Sequence, residues 1–180
     1  GMGMGMMPPQ GMKGMPESWE ICSYAIATMK GDRPVAPATG RGDVAAWFKR
    51  CREVGVQLHR PRIVKMPLKD FADPRDVACF AYHVNKPEGF NYEEVEASSP
   101  AQIEQMEAVL KDLEPLLHGT TDEGIPCLNS WGFGLDDVSI LCYMRNLTCV
   151  KGLTWPPKVR EYLERTCGEA GVNLYFEHAC

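Results

Sequence analysis

An all-α fold is what this sequence predicts, and three observations carry the prediction. Apolar residues recur at spacings of three and four in six separate segments, the period of a helix face. Five of those segments are opened by Ser, Asp or Pro and one by Gly134, and all are closed by Gly or Pro, the residue types that stop helices. No two neighbouring runs alternate apolar and polar residues about a turn, so no strand pair is expected.

The first expected helix runs from Ser18 to Lys30, with Ile21, Cys22, Ala25, Ile26 and Met29 on one face and Gly31 as its stop. Asp43 is expected to cap the second, whose stripe is Val44, Trp47, Phe48, Cys51, Val54 and Leu58, and which Pro61 should end. Asp73-Pro74 pairs a cap with a first-turn proline and launches a third helix to about Lys86, with Val77, Phe80, Ala81 and Val84 inward. The stretch "PEGFNYEEVEA" reads as loop with some helix, and Ser99-Pro100 repeats the cap-and-proline device. Ile103, Met106, Val109, Leu110, Leu113 and Leu117 then form a fourth stripe, ended by Gly119. After an irregular loop containing Trp131 comes "GLDDVSILCYMRNLTCVKG". It leaves little polar surface and is expected to be the central, buried helix. Pro156-Pro157 reset the chain, and Lys158 to Cys167 form a short last helix.

Composition bounds the function classes. With 44% hydrophobic and 24% charged residues among 180, the chain is ordinary for a globular protein and long enough for a real core. No apolar run has the length of a bilayer crossing, and no secretory signal opens the chain, so a reducing interior, the cytosol, is the expected setting. The net charge of −5 is uneven: residues 1–86 carry 13 basic and 8 acidic groups, residues 87–180 carry 6 and 16. The basic excess is densest from Lys49 to Lys69. It is spread over a helix and a loop without interleaved aromatics, so a solvated face is expected rather than a nucleic-acid surface. None of the eight cysteines forms Cys-x-x-Cys, so no zinc knuckle or dithiol motif is encoded, and most are expected to pack as small hydrophobes. Metal binding is not expected. The sequon Asn146-Leu147-Thr148 falls within the most apolar helix, where no glycan is expected.

Three segments in order carry a resemblance. "GMPESWEICSYA" resembles the end of a thioredoxin-fold domain, where a Glu-Ser pair opens a helix. "LHRPRIVKMPLKDFADPRDVACF" is similar to a Pro-Arg loop and the helix after it. "GLDDVSILCYMRNLTCVKGLTWPPKVREYL" resembles a pair of final helices joined through Val-x-Gly to Trp-Pro. Together they resemble the two-domain glutaredoxin 2 type, within the glutathione transferase and glutaredoxin superfamily. The resemblance implies a thioredoxin-like domain packed on a helical domain like the C-terminal half of glutathione transferases. Its activity would be glutathione-dependent thiol–disulfide oxidoreduction on protein disulfides, with glutathione as co-substrate and no other cofactor.

On that basis residues 1–14 are a disordered Gly/Met leader, 15–30 a remnant of the thioredoxin-like domain, 31–42 a linker and 43–180 the helical domain. The family's Cys-Pro-Tyr-Cys nucleophile turn and its cis-proline are not among these residues, so no catalytic residue is assigned and the chain alone is expected to be inactive. By the resemblance, Glu17 and Ser18 would receive the γ-glutamyl end of glutathione. A helix start offers unpaired N–H groups and about half a positive charge to a carboxylate. The same two residues also read as a simple cap, and both readings stand. Cys22, one turn further, is expected to pack rather than react. Asp137 sits three residues after Gly134 and supplies the surviving half of a capping box, a structural role. Two further readings remain. One is a non-catalytic interaction module, dimerising through an apolar surface that includes Trp19, Trp47 and Phe48. The other is a weak glutathione transferase-like binder acting through Ser18.

Overall fold

The computed structural model describes residues 18–29, 35–85, 91–119 and 124–180. The leader at 1–14, Glu17, the linker residues 31–34 and the side chains of Ser18, Trp19 and Val84 lie outside what is described. Among the described residues there is no strand, only two isolated backbone bridges, and the all-α expectation holds. The chain divides into two compact units, Gly1–Val35 and Ala36–Cys180.

The first unit contributes α1, Ser18–Thr28. Its apolar stripe does not become a core face: Ile21, Ala25 and Met29 are exposed, and Cys22 and Ile26 are half-buried. Periodicity gives a helix its face, but burial needs a second element to cover it, and the described part of this unit offers none.

The second unit is built around α2, Gly42–Ile63, which packs on α4 (Tyr92–Ala97), α5 (Ser99–Lys111) and α6 (Leu135–Leu147). The remaining helices are α3 (Pro74–Asn85) and α7 (Pro157–Glu169), the latter packed on α6. The hub is therefore α2 rather than the more apolar α6, and Gly55 explains it. A Cβ there would lie 3.0 Å from Leu147 and Tyr143 and 3.1 Å from Met106, so α5 and α6 close on α2 because that position has no side chain. Helix α6 still buries Ile140, Leu141, Met144 and Leu147, while Cys142 is exposed.

Several expectations are corrected here. Pro61 does not end α2, which runs on to Ile63. The proline only removes one donor, and Arg62 adds a bond of its own from Nη1 to the Leu58 carbonyl at 2.8 Å. The basic stretch is not wholly a solvated face, because His59 and Arg62 are both buried. Arg62 fans out to the Cys180 carbonyl through Nε and to Ser99 Oγ through Nη2, each at 2.9 Å. Ser99 accordingly does not cap α5. Its buried hydroxyl also donates to the Val95 carbonyl at 3.2 Å, which ties α4 to α5. Trp47 is no part of an exposed apolar surface: it is 1% exposed, and its Nε1 donates to the Val109 carbonyl at 2.7 Å. Phe48 is half-buried between Trp47 and Tyr143.

The segment 36–41, read from composition as part of a linker, is fastened to the second unit. Ala36 N–H donates to the Phe133 carbonyl at 3.3 Å, Leu135 N–H returns to the Ala36 carbonyl at 2.9 Å, and Thr39 bonds Asp136 through both N–H and hydroxyl. Arg41 Nη1 reaches the Leu116 carbonyl at 3.1 Å. These bonds hold the start of α6 against the entry to α2.

Candidate functional site

The two residues proposed to hold an anion meet the structure unequally. Glu17 lies outside the described residues, and of Ser18 the backbone alone is described, as the first residue of α1. Glu20 places a negative charge in that first turn, favourable to the helix dipole.

Asp137 is fully described and fully enclosed. Gly134 has an extended backbone at the start of α6, so its N–H turns inward and donates to Asp137 Oδ2 at 2.8 Å. The Leu128 N–H and the Tyr162 hydroxyl both donate to Oδ1, each at 2.8 Å. One carboxyl thus joins the loop before α6, the first turn of α6 and the middle of α7, with no surface open to solvent. Burial pushes its pKa up, while the three hydrogen bonds pull it back towards the charged form. Tyr162, wholly buried beside it, is held well above the ordinary phenol value and stays a donor. A group sealed this way can fix geometry but cannot touch a substrate.

Two buried polar side chains went unnoticed in the sequence. His59 is 7% exposed, and neither ring nitrogen has a hydrogen-bond partner. Its ring stands edge-on to Tyr143, centroids 5.0 Å apart at 89°. Burial, with help from Arg60, lowers its pKa to about 4, so it is neutral in the folded protein. Asn129, 3% exposed, likewise leaves both amide atoms unpartnered, and a Cβ at Gly134 would come within 2.8 Å of its Nδ2. A signal for His59 did exist. It falls on the stripe of Cys51, Gly55, Leu58 and Arg62 at spacings of three and four.

The thiols carry no sign of an activated nucleophile where a shift is resolved. Burial pushes Cys51 and Cys149 up to about 12, Cys127 up to about 11, and raises Cys167 as well. Cys51, Cys127, Cys149 and Cys167 are buried and Cys22 is half-buried, as expected of most of the cysteines, whereas Cys79, Cys142 and Cys180 are exposed. Among the described residues no group of three or more His, Cys, Asp or Glu side chains is arranged to hold a metal. None of the described helices is long and apolar enough to cross a membrane.

The helical architecture has close counterparts. The family profile described as Glutaredoxin 2, C terminal domain, matches residues 43–179. This chain belongs to the glutaredoxin 2 family. It is similar to Glutaredoxin 2 of Escherichia coli (strain K12), 26% identical over 162 residues that span 89% of this chain and 70% of that protein. The same figures hold for Glutaredoxin 2 of Escherichia coli O157:H7. In fold it resembles glutaredoxin 2 from Salmonella typhimurium, whose crystal structure is a complex with glutathione. The TM-score is 0.79 at 23% identity, over 92% of this chain and 72% of that one. The glutaredoxin 2 resemblance read from the three sequence segments is thereby borne out. The matched span takes in α2 to α7 and both residues of the Asp137–Tyr162 bond.

Proposed function

We propose that this chain supplies the helical domain of a glutathione-dependent thiol–disulfide oxidoreductase, together with the helix that receives the γ-glutamyl end of glutathione. The single observation that carries this reading is the family match across residues 43–179, and the glutathione complex of a relative with the same fold supports it. In the proposed division, 15–30 belongs to a thioredoxin-like domain, 31–42 is the joining segment and 43–180 the helical domain. Glu17 and Ser18 hold the carboxylate at the start of α1, and Asp137 keeps the helical domain in register without taking part in chemistry. Protein disulfides are the substrates of the complete reaction, and a reducing cytosol is its setting.

The dithiol step itself lies outside these residues. A dithiol exchange needs two neighbouring thiols with an accessible thiolate; none of the eight cysteines forms Cys-x-x-Cys, and those with a resolved shift are buried and protonated. The test measures hydroxyethyl-disulfide reduction with glutathione alongside calorimetric titration of glutathione. The expected outcome is no turnover above background, with weak binding that Ser18→Ala abolishes. Brisk turnover by the 180 residues alone would overturn the assignment of the chemistry elsewhere. Unchanged binding in Ser18→Ala would overturn the site.

A further inference from the structure

An open groove runs between α7, the turn at Pro67 and Leu68, and the chain segment 172–178. That last wall is well anchored. Val172 N–H donates to the Cys167 carbonyl and Tyr175 N–H to Thr148 Oγ1, each at 2.8 Å. Arg145, in the last turn of α6, also lines the groove and is fixed twice over. Its Nε donates to the Asn173 carbonyl at 2.8 Å, and its guanidinium carbon lies over the Tyr175 ring, 4.4 Å from the centroid. Among the described residues neither Nη group has a hydrogen-bond partner, and no carboxylate lies within ion-pair distance of them. Arg160, across the groove, makes a contrast. It covers the Phe176 ring at 4.7 Å, but its Nε is engaged by Glu164 at 2.7 Å.

We propose that this groove binds a small monocarboxylic acid with an apolar body. Arg145 takes the carboxylate, and the body lies against Leu68, Val172 and Phe176. A guanidinium offers two parallel donors that match a carboxylate, and here the fork is oriented before any ligand arrives, so little side-chain freedom is lost on binding. Half-buried Leu68 and Phe176, with exposed Val172, give the ligand its body contact. Glu164 and Glu177 line the same groove. Their charges repel a dianion such as phosphate more strongly than a single carboxylate. All the residues that line this site belong to the second unit, and the proposal does not depend on the glutathione reading.

The experiment is calorimetric titration of the full chain with naphthoate, and with naphthalenemethanol as its uncharged counterpart. Naphthoate should bind saturably at one site. The alcohol should bind at least about tenfold more weakly, as should naphthoate to Arg145→Gln, since a hydrogen-bonded Arg–carboxylate contact contributes on that scale. Val172→Glu, at an exposed side chain, should weaken naphthoate comparably by adding a repelling charge inside the groove. Absence of saturable naphthoate binding overturns the proposal. So does an alcohol that binds as tightly. Undiminished affinity in either variant with an unchanged melting temperature has the same force, and Val172→Glu decides if Arg145→Gln does not fold.

Discussion

Two polar side chains lie in the same core and have opposite fortunes. Asp137 is enclosed completely, yet three donors at 2.8 Å surround its two oxygens. His59 is enclosed almost as fully and has no hydrogen-bond partner on either nitrogen. Burial costs both of them the water they would otherwise bond. The first recovers that loss by organising backbone N–H groups and a phenol around itself. The second avoids most of it by staying neutral and presenting a ring to Tyr143. A buried polar group therefore marks a knot in one place and a weak point in the other, and burial alone does not tell them apart.

Removing the knot should have the largest effect. Asp137→Ala leaves the Gly134 N–H, the Leu128 N–H and the Tyr162 hydroxyl without an acceptor, at an expected loss of about 4 kcal/mol in urea unfolding. Asp137→Asn should lose less, because one oxygen still accepts. Equal stability of the alanine variant and the parent would break the contrast.

His59 should show itself in pH dependence. Its folded pKa of about 4 lies below the ordinary 6.5, so folding favours the neutral ring. The stability it permits is complete above pH 6.5 and falls as pH drops from there to about 4, by about 3 kcal/mol in all. His59→Phe keeps the edge-on ring contact and has nothing to protonate. It should flatten that part of the profile and, at neutral pH, match or exceed the parent by up to about 2 kcal/mol. A parent profile already flat between those pH values would count against the assignment.

The smallest change sharpens the comparison from the other side. Tyr162→Phe removes one of three donors to Asp137 and should cost about 1.5 kcal/mol, well short of removing the carboxyl. A loss as large as that of Asp137→Ala would mean that the hydroxyl, not the backbone N–H groups, holds the cluster together.

Much of the helical plan was legible. The stripe of Val44, Trp47, Cys51 and Leu58 did become buried, as did Met106, Leu110, Leu113 and Leu117, because a three-and-four period is a property of local backbone geometry. The helix stops read less well. Pro61 was absorbed inside α2, since a proline removes a single donor, and Arg62 adds a side-chain bond to the Leu58 carbonyl one turn back. Ser99 had the spacing of a cap but not its surroundings, with Val95 and Arg62 both within reach of its hydroxyl. At the candidate site, the Gly134-x-x-Asp137 spacing foretold one hydrogen bond of three. The other two come from Leu128 and from Tyr162, 25 residues further along, and nothing in local sequence encodes such a meeting.

By itself the sequence determined where helices form, which face of each is apolar, and the family to which the chain belongs. Those properties depend on neighbours within a few turns and on order along the chain. Only the tertiary structure decided which polar groups would be enclosed, and whether each would find a partner there. Enclosure and hydrogen bonding depend on what distant segments bring alongside, as Gly55 brings α5 and α6 onto α2 and as α7 brings Tyr162 to Asp137.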